Sequence, residues 1–331
     1  RVLTTQIYVS KLNGDLAIAA VETVILAAVS IAFLAGLQYY EEKQTFTGAG
    51  KGMLGGSERI RKGRRTTLTL SAAAWALTIF LLLPHAMVLL VSFVPEGTWT
   101  IELFPPEYSV RNYVSLFSES EMLTPIVNSL QMATIATFAN VVLAFAAAYL
   151  IVRGKFKGRR LLGALIVLPW ALPGTVLAMA LATTFNQNQP LAGRFLLIGS
   201  FAILPLAYFI RNIPLVTRAA MTSFRQFDPS LEEASASLGA GWPTTMRRVA
   251  LPLVLPGLAA GALLAFVTAL GEFVASILLY THRTRPISVA ILSELRAFDF
   301  GGAAAYGVFL IALMAVVFLL GYGKVSNGPG V

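Results

Sequence analysis

The chain has 331 residues, 56% of them hydrophobic and only 12% charged, with a mean hydropathy of +0.73 and a net charge of +9. So large an excess of apolar over charged residues excludes an ordinary soluble domain and a disordered chain, and points to a bilayer. The positive charge does not point to nucleic acid, because it is gathered into short connections between apolar runs; cysteine is absent, which removes disulfides and thiolate metal sites.

The apolar residues collect in runs of about 20, enough to cross a hydrocarbon core of about 30 Å at 1.5 Å per helical residue. Seven such runs are legible, at 16–37, 68–94, 129–152, 161–185, 195–213, 253–279 and 303–322. The first is too long, and its flanks too polar, for a cleavable signal peptide. The connection at 38–67 carries Lys43, Lys51, Arg59, Arg61, Lys62, Arg64 and Arg65, the stretch "RGKFKGRR" at 153–160 carries five more basic residues, and Arg218, Arg225, Arg247 and Arg248 lie around a third connection. With alternating spans these three fall on one side, the cytoplasmic one by the positive-inside rule, and the C-terminus falls with them. The 95–128 connection, with Arg111 against five glutamates, lies opposite; the 280–301 connection, with Arg283, Arg285 and Arg296, is the exception to the pattern. The expected class is an all-α polytopic protein of the plasma or inner membrane, with lipid rather than nucleic acid around it.

An internal repeat is visible at an offset of 284 residues without gaps. "LTTQIYVSKLNGDLAIAAVETVILA" then lies against "ISVAILSELRAFDFGGAAAYGVFLI", pairing Ile7 with Ile291, Asp15 with Asp299, Ala19 and Ala20 with Ala303 and Ala304, Val24 with Val308 and Leu26 with Leu310. Ala and Val matches between two apolar helices carry little weight, and chance likeness is the competing explanation. The aligned aspartates and polar lead-ins carry the repeat. On that reading residues 1–40 are the terminal span of a preceding unit, 41–67 a basic Gly-rich linker, and 68–325 a complete six-span unit.

The linker contains "TGAGKG", which imitates a phosphate-binding loop but has Thr45 where Gly is needed and Gly52 where Ser or Thr is needed. Energy from ATP would therefore come from another subunit. In the 95–128 connection Val110, Tyr113, Val114 and Phe117 have helical spacing, which predicts a short interfacial helix. Pro169, Pro173 and Pro205 are placed to kink or interrupt spans, and "GLAAG" at 257–261 has the small-residue spacing that lets helices approach closely.

The most informative polar passage is "EEASASLGAGWPTTMRRVALP" at 232–252, within a loop at 228–252. Asp228 or Ser230 can cap a helix, Pro229 suits a first turn, and Ser230 with Glu233 has capping-box spacing. A short helix with Leu231, Ala234 and Leu238 on one face is expected, ended by Gly239 in a left-handed turn. Pro243 then opens a second short helix presenting Met246, Val249 and Ala250, which Pro252 is expected to stop. Two small helices folded over a glycine turn, with an apolar edge and basic rim, suit a groove on a partner.

These residues resemble a known signature. Glu233, Ala234, Gly239, Val249 and Leu251-Pro252 follow the order and spacing of the "EAA, three residues, G, nine residues, I-x-L-P" motif of permease subunits of ATP-binding-cassette importers. Ser235 stands for the second Ala and Val249 for the Ile. "NSLQMATIATFANVVLAFAAAYLIVR", "LPWALPGTVLAMAL" and "LGEFVASILLYTHRTRPISVAILSELRAFDFGGAAAYG" resemble further parts of such permeases, the last most like the ferric-iron type, many of which fuse two six-span units. The resemblance implies a coupling site made of Glu232, Glu233, Ala234, Ser235, Gly239, Val249, Leu251 and Pro252. Its partners would be a cytoplasmic ATPase dimer, which holds ATP and Mg, a periplasmic substrate-binding protein, and a first permease unit; no cofactor on this chain is expected. The cargo it suggests is ferric iron, with thiamine, polyamine, phosphonate and sulfate as alternatives.

Glu272 lies about 20 residues beyond Pro252, which is roughly 30 Å along a helix. A carboxylate inside the membrane is a candidate for the translocation pathway, and equally for a hydrogen bond between helices. Glu22 reads as structural or as facing a missing half. Asn186, Gln187, Asn188 and Gln189 form a polar outer loop, either solvated or touching a delivery protein. His85 and His282 have no companions at metal-ligand spacing. An ion-driven secondary transporter would need more intramembrane charges and no coupling loop, and a membrane enzyme would need clustered His, Asp or Glu at one face.

Overall fold

The computed structural model describes residues 2–43, 64–99, 104–187, 190 and 193–326. Most of the linker, including "TGAGKG", and also Asn188 and Gln189, lie outside the described residues. Among the described residues there are no strands; the chain is a bundle of helices.

The chain opens with α1 (Leu3–Leu12) and α2 (Leu16–Lys43), then α3 (Arg64–Val91). A short α4 (Arg111–Ser118) leads into the long α5 (Ser120–Val152). α4 is the predicted interfacial helix with its inward face corrected: Leu116 is buried with Tyr113 beside it, while Val110, Val114 and Phe117 are exposed. The run at 161–185 is two helices, α6 (Arg159–Ala171) and α7 (Gly174–Phe185), bent by 107°. The break falls at Leu172–Pro173, since Pro disfavours helical backbone in the residue before it; Pro169 is accommodated inside α6.

The predicted fifth run, 195–213, is displaced in the structure. α8 covers Ile203–Gln226, and positive φ at Gly193, Arg194 and Gly199 marks turns ahead of it. Its later half was hidden in the sequence because it carries Asn212, Thr217, Arg218 and Arg225. These are tolerated because α8 lies between α5 and its later neighbours: Asn212 and Thr217 are buried, and Asn212 donates to the Tyr208 carbonyl at 2.9 Å. Pro205 does not interrupt α8, since it sits in the first turn where its missing N–H has no helical acceptor.

After α9 (Ser230–Ser237) and α10 (Trp242–Thr245), a π-helical turn over Met246–Ala250 runs directly into α11 (Leu251–Leu270). Pro252 therefore does not stop the second short helix. The widened turn, in which the Leu251 N–H donates to the Met246 carbonyl, admits the proline, and helix continues from Trp242 to Leu270. The run expected to reach residue 279 ends instead at Gly271. Non-helical residues carry the chain to α12 (Ser276–Leu279), and a single 3₁₀ turn at His282–Thr284 precedes α13 (Ile287–Arg296) and α14 (Phe300–Ser326).

Among the described residues five helices are long and apolar enough to cross a membrane, six if the bent pair counts as one span. α8 packs among them as the remaining long helix. The expected close approach at 257–261 is real: a Cβ on Gly257 would stand 1.9 Å from Ser223 Oγ, and one on Gly261 would stand 2.8 Å from Ala219 Cβ, both on α8. One apolar cluster joins α5, α7, α8 and the α11–α12 region through Met132, Leu181, Tyr208 and Leu270. A second, nearer the basic end of the bundle, joins α5, α8 and α11 through Ala148, Phe224 and Val254, and extends into the π turn through Met246 and Ala250. The α1–α2 hairpin is seated on α7 through Ile7, Ala19 and Met179.

The two copies of the repeat share helix limits: adding 284 to the ends of α1 and to the start of α2 gives the ends of α13 and the start of α14. Their turns match bond for bond. Gly14 N–H to Lys11 and Asp15 N–H to Ser10 correspond to Phe298 N–H to Leu295 and Asp299 N–H to Glu294. Gly14 (φ 83°) and Phe298 (φ 64°) occupy the same left-handed position.

Candidate coupling site

The loop at 228–252 is built from local rules. Asp228 Oδ1 accepts the Ser230 N–H at 2.9 Å and starts α9. The end of α9 is a complete Schellman turn: Gly239 N–H donates to Ala236 at 2.9 Å, Ala240 N–H donates to Ser235 at 3.1 Å, and Gly239 takes φ 83°. Ser235 Oγ and Thr245 Oγ1, 2.9 Å apart, fasten the two short helices together.

The two glutamates diverge. Glu232 turns inward and pairs with Arg153 Nε at 3.0 Å, and Arg153 also donates to the Phe227 carbonyl at 2.9 Å and lies 4.7 Å over the Phe227 ring. Glu233 is exposed, as are Ala234, Leu231 and Leu238; the last is 89% exposed. Trp242 Nε1 donates to Tyr149 Oη at 3.1 Å, and Tyr149 stacks on Phe224 at 5.8 Å. Behind them Thr245, Met246 and Ala250 are buried, Val249 is half-buried, and Leu251 with Pro252 begins α11. The result is a rigid knob whose inner side is bolted to α5, α8 and α11, and whose outer side presents an acid and an uncovered apolar edge. An isolated chain has no reason to leave Leu238 in water, so this face is shaped for another surface.

At the far end of α11, Glu272 is buried. Its Oε2 lies 2.7 Å from Arg211 Nε on α8, its Oε1 accepts the Ala275 N–H at 3.1 Å, and its carbonyl accepts from the hydroxyls of Ser276 and, at 3.0 Å, Ser288. It thus ties α8, α12 and α13 together at the point where helix is interrupted. Glu22 accepts from Ser10 Oγ at 3.0 Å, locking α1 to α2. Asn186 and Gln187 are exposed, and His85 bonds only within its own helix, to the Leu81 carbonyl.

Comparison with known proteins places this architecture. The family described as binding-protein-dependent transport system inner membrane components matches residues 140–322, more than half of the chain. The chain belongs to that family. The permease is 30% identical over 297 residues to a probable ABC transporter permease protein, y4fN, of Sinorhizobium fredii, covering 90% of this chain and 52% of that one. It is 28% identical to the ferric transport system permease protein FbpB of Actinobacillus pleuropneumoniae, over 96% of this chain and 45% of that one. It is 30% identical to the sulfate transport system permease protein CysT of Salmonella typhimurium, over 77% and 90%. The permease thus spans about half the length of the first two relatives. Among solved structures it matches a bacterial alginate ABC transporter in complex with an alginate pentasaccharide-bound periplasmic protein, with a TM-score of 0.63 at 18% identity, over 83% of this chain and all of that one. That likeness shows the fold.

The groups that complete the permease's sites were not legible in sequence. Arg153, read as one of a run of cytoplasmic charges, is the partner of Glu232; Arg211, within a run read as a plain span, is the partner of Glu272. Their signal was weak because ion-pair partners on different helices leave no local spacing, although the polar stripe of α8 was available as a helical period.

Proposed function

We propose that this permease is the membrane half of an ATP-driven importer, with the 228–252 loop seated in a cytoplasmic ATPase dimer and a periplasmic binding protein delivering cargo at the opposite face. The observation that carries this reading is the coupling knob itself: an exposed Leu231–Ala234–Leu238 edge beside Glu233, on a base buttressed by Arg153, Tyr149 and the second apolar cluster. A surface that is apolar outside and fixed inside transmits displacement instead of absorbing it. ATP and Mg stay on the partner. When the ATPases close, the knob moves, and the unbroken helix from Trp242 to Leu270 carries that motion across the membrane to the break at Glu272, switching the bundle between two arrangements. The basic connections, the knob and the C-terminus face the cytoplasm.

The α1–α2 hairpin is read as the end of a first permease unit in the same polypeptide. The matched turns of the 284-residue repeat and the double length of two relatives support this. The same relatives support ferric iron as cargo, while the sulfate permeases support an oxyanion on the same machinery. The test is copurification and uptake with the intact native protein. An ATPase should copurify, ATP should drive uptake of either ⁵⁵Fe(III) or ³⁵S-sulfate from the delivering protein, and Gly239→Asp should abolish uptake while leaving the bundle folded. Absence of any associated ATPase, with Gly239→Asp transporting like wild type, would sink the reading.

A further inference from the structure

A cavity of about 490 Å³ opens between α1, the start of α7, and the α12–α13 segment. Within the importer reading, on which this inference rests, we propose that it is an oxyanion-binding subsite on the transport path.

Its position comes from the repeat. Thr4, Thr5 and Tyr8 of α1 form one wall, and Leu292 and Arg296 of α13 form the facing wall. α1 and α13 are the equivalent helices of the two copies, so this space is bounded by both units rather than enclosed within one. The walls touch at one polar contact, where Arg296 Nη2 donates to Tyr8 Oη at 3.2 Å.

Its sign comes from the third wall. Pro173, Gly174 and Thr175 open α7, a helix of 12 residues whose N-cap provides no side-chain bond. The Leu177 N–H is the one that bonds the Pro173 carbonyl, so the N–H groups of Gly174, Thr175 and Val176 precede the helical ladder and carry its positive end. Thr175 is only 7% exposed, and its hydroxyl has no hydrogen-bond partner. A buried hydroxyl left unpaired is costly unless something else fills the role. Arg211 adds a second guanidinium here, with Nη1 3.3 Å from where a Cβ on Gly174 would stand. The neighbouring carboxylate, Glu272, is already committed to Arg211 Nε, and none of the lining residues is acidic.

The remaining wall is apolar, with Phe273, Val274, Ile277 and Leu278. Such a surface lowers the local dielectric and strengthens each charge-assisted bond to a ligand. The volume falls within the range of small-ligand pockets. A bare cation would meet two guanidiniums and a helix N-terminus and be repelled. An oxyanion would find Arg296, the hydroxyls of Tyr8 and Thr175, and the α7 backbone arranged as donors. The oxyanion group could arrive free, as sulfate or phosphate, or as the carboxylates of a ferric chelate.

The test is equilibrium binding to the intact protein with its ATPase in lipid nanodiscs, without ATP, using ³⁵S-sulfate, ³²P-phosphate and ⁵⁵Fe(III)-citrate. At least one probe should bind saturably. Arg296→Gln and Thr175→Val should each weaken it about tenfold, and Arg296→Lys should recover part of the loss. Thr183→Val, outside this cavity, should leave it unchanged. Binding of sulfate or phosphate without iron identifies a free anion as the source, and binding of ferric citrate alone identifies the chelate. If no probe binds, or Arg296→Gln binds like wild type while the ATPase remains associated, the subsite is wrong and the importer reading stands. Loss of the ATPase from wild-type preparations strikes the importer reading, whereas anion binding is still read directly.

Discussion

Arg211 Nε and Glu272 Oε2 stand 2.7 Å apart, joining the middle of α8 to the break that follows α11. Glu272 is buried while the Arg211 side chain keeps 31% exposure, so the pair is only partly withdrawn from water. Removing one partner should cost more than removing both, because a lone buried charge keeps its desolvation penalty and loses its compensation. We expect Glu272→Leu to lower stability by about 2–3 kcal/mol, and Arg211→Met with Glu272→Leu to recover at least half of that loss. Thermal unfolding of the four proteins of this double-mutant cycle measures it, and additive losses would show that the two side chains do not interact.

The two glycines of the α8–α11 contact should respond differently to the same substitution. At Gly261 an added Cβ meets Ala219 Cβ at 2.8 Å and Val216 Cα at 3.1 Å, neither of which can rotate away. At Gly257 the closest atom is Ser223 Oγ, a hydroxyl that can adopt another rotamer. Gly261→Ala should therefore cost about 1–3 kcal/mol through overpacking. Gly257→Ala should cost less, and most of its cost should vanish when combined with Ser223→Ala. Unfolding of the single and double variants separates the two cases; equal losses at both positions would contradict this account.

Much of this arrangement was legible from sequence where the physical cause is local. Run length gave the membrane helices, and Asp228, Gly239 and Pro243 gave the helix start, the left-handed turn and the second start of the coupling loop. The repeat gave two hairpins whose limits agree residue for residue. What was missed depends on long-range packing. Apolarity alone ended the fifth span near Ile213, yet α8 continues to Gln226 because neighbouring helices cover Asn212 and Thr217. Pro252 looked like a stop because its missing N–H was read against an α-helical ladder, whereas the chain forms a π turn there. The direction taken by Glu232, toward Arg153 rather than outward with Glu233, depends on a residue in another connection.

The Arg153–Glu232 bridge gives a third expectation. Both side chains are about one-sixth exposed, at 16% and 17%, and Arg153 additionally holds the Phe227 carbonyl. Replacing Glu232 removes one arm of this clamp and leaves the other, whereas Arg153→Ala removes both and the cation–π contact with Phe227. Glu232→Gln should lower stability by under about 1 kcal/mol, and Arg153→Ala by about 2 kcal/mol, with the greatest gain in hydrogen exchange at residues 228–238. Exchange mass spectrometry on the two variants checks the order. Equal protection of that segment in both would mean that Trp242 and Met246 hold the knob without help from Arg153.

The start of the coupling helix should be sensitive to acid in a calculable direction. The Asp228 carboxyl is held below the usual aspartate range, first because it accepts the Ser230 backbone N–H and, with smaller weight, through the Ser230 side chain and the charge of Arg153. A group whose folded value is depressed contributes its stabilisation above the unfolded value, about 3.9 for aspartate, and loses it as pH falls through the folded value. Protection of the α9 backbone should therefore be constant from neutral pH down to about 4 and decline below that. Asp228→Asn keeps an acceptor for the Ser230 N–H and should remove the pH dependence while preserving most of the protection at neutral pH. Asp228→Ala removes the acceptor and should fray α9 at every pH. Hydrogen exchange of residues 230–237, normalised to the intrinsic rate at each pH, distinguishes the three proteins; an acid-induced loss that persists in Asp228→Asn would assign the sensitivity to another group.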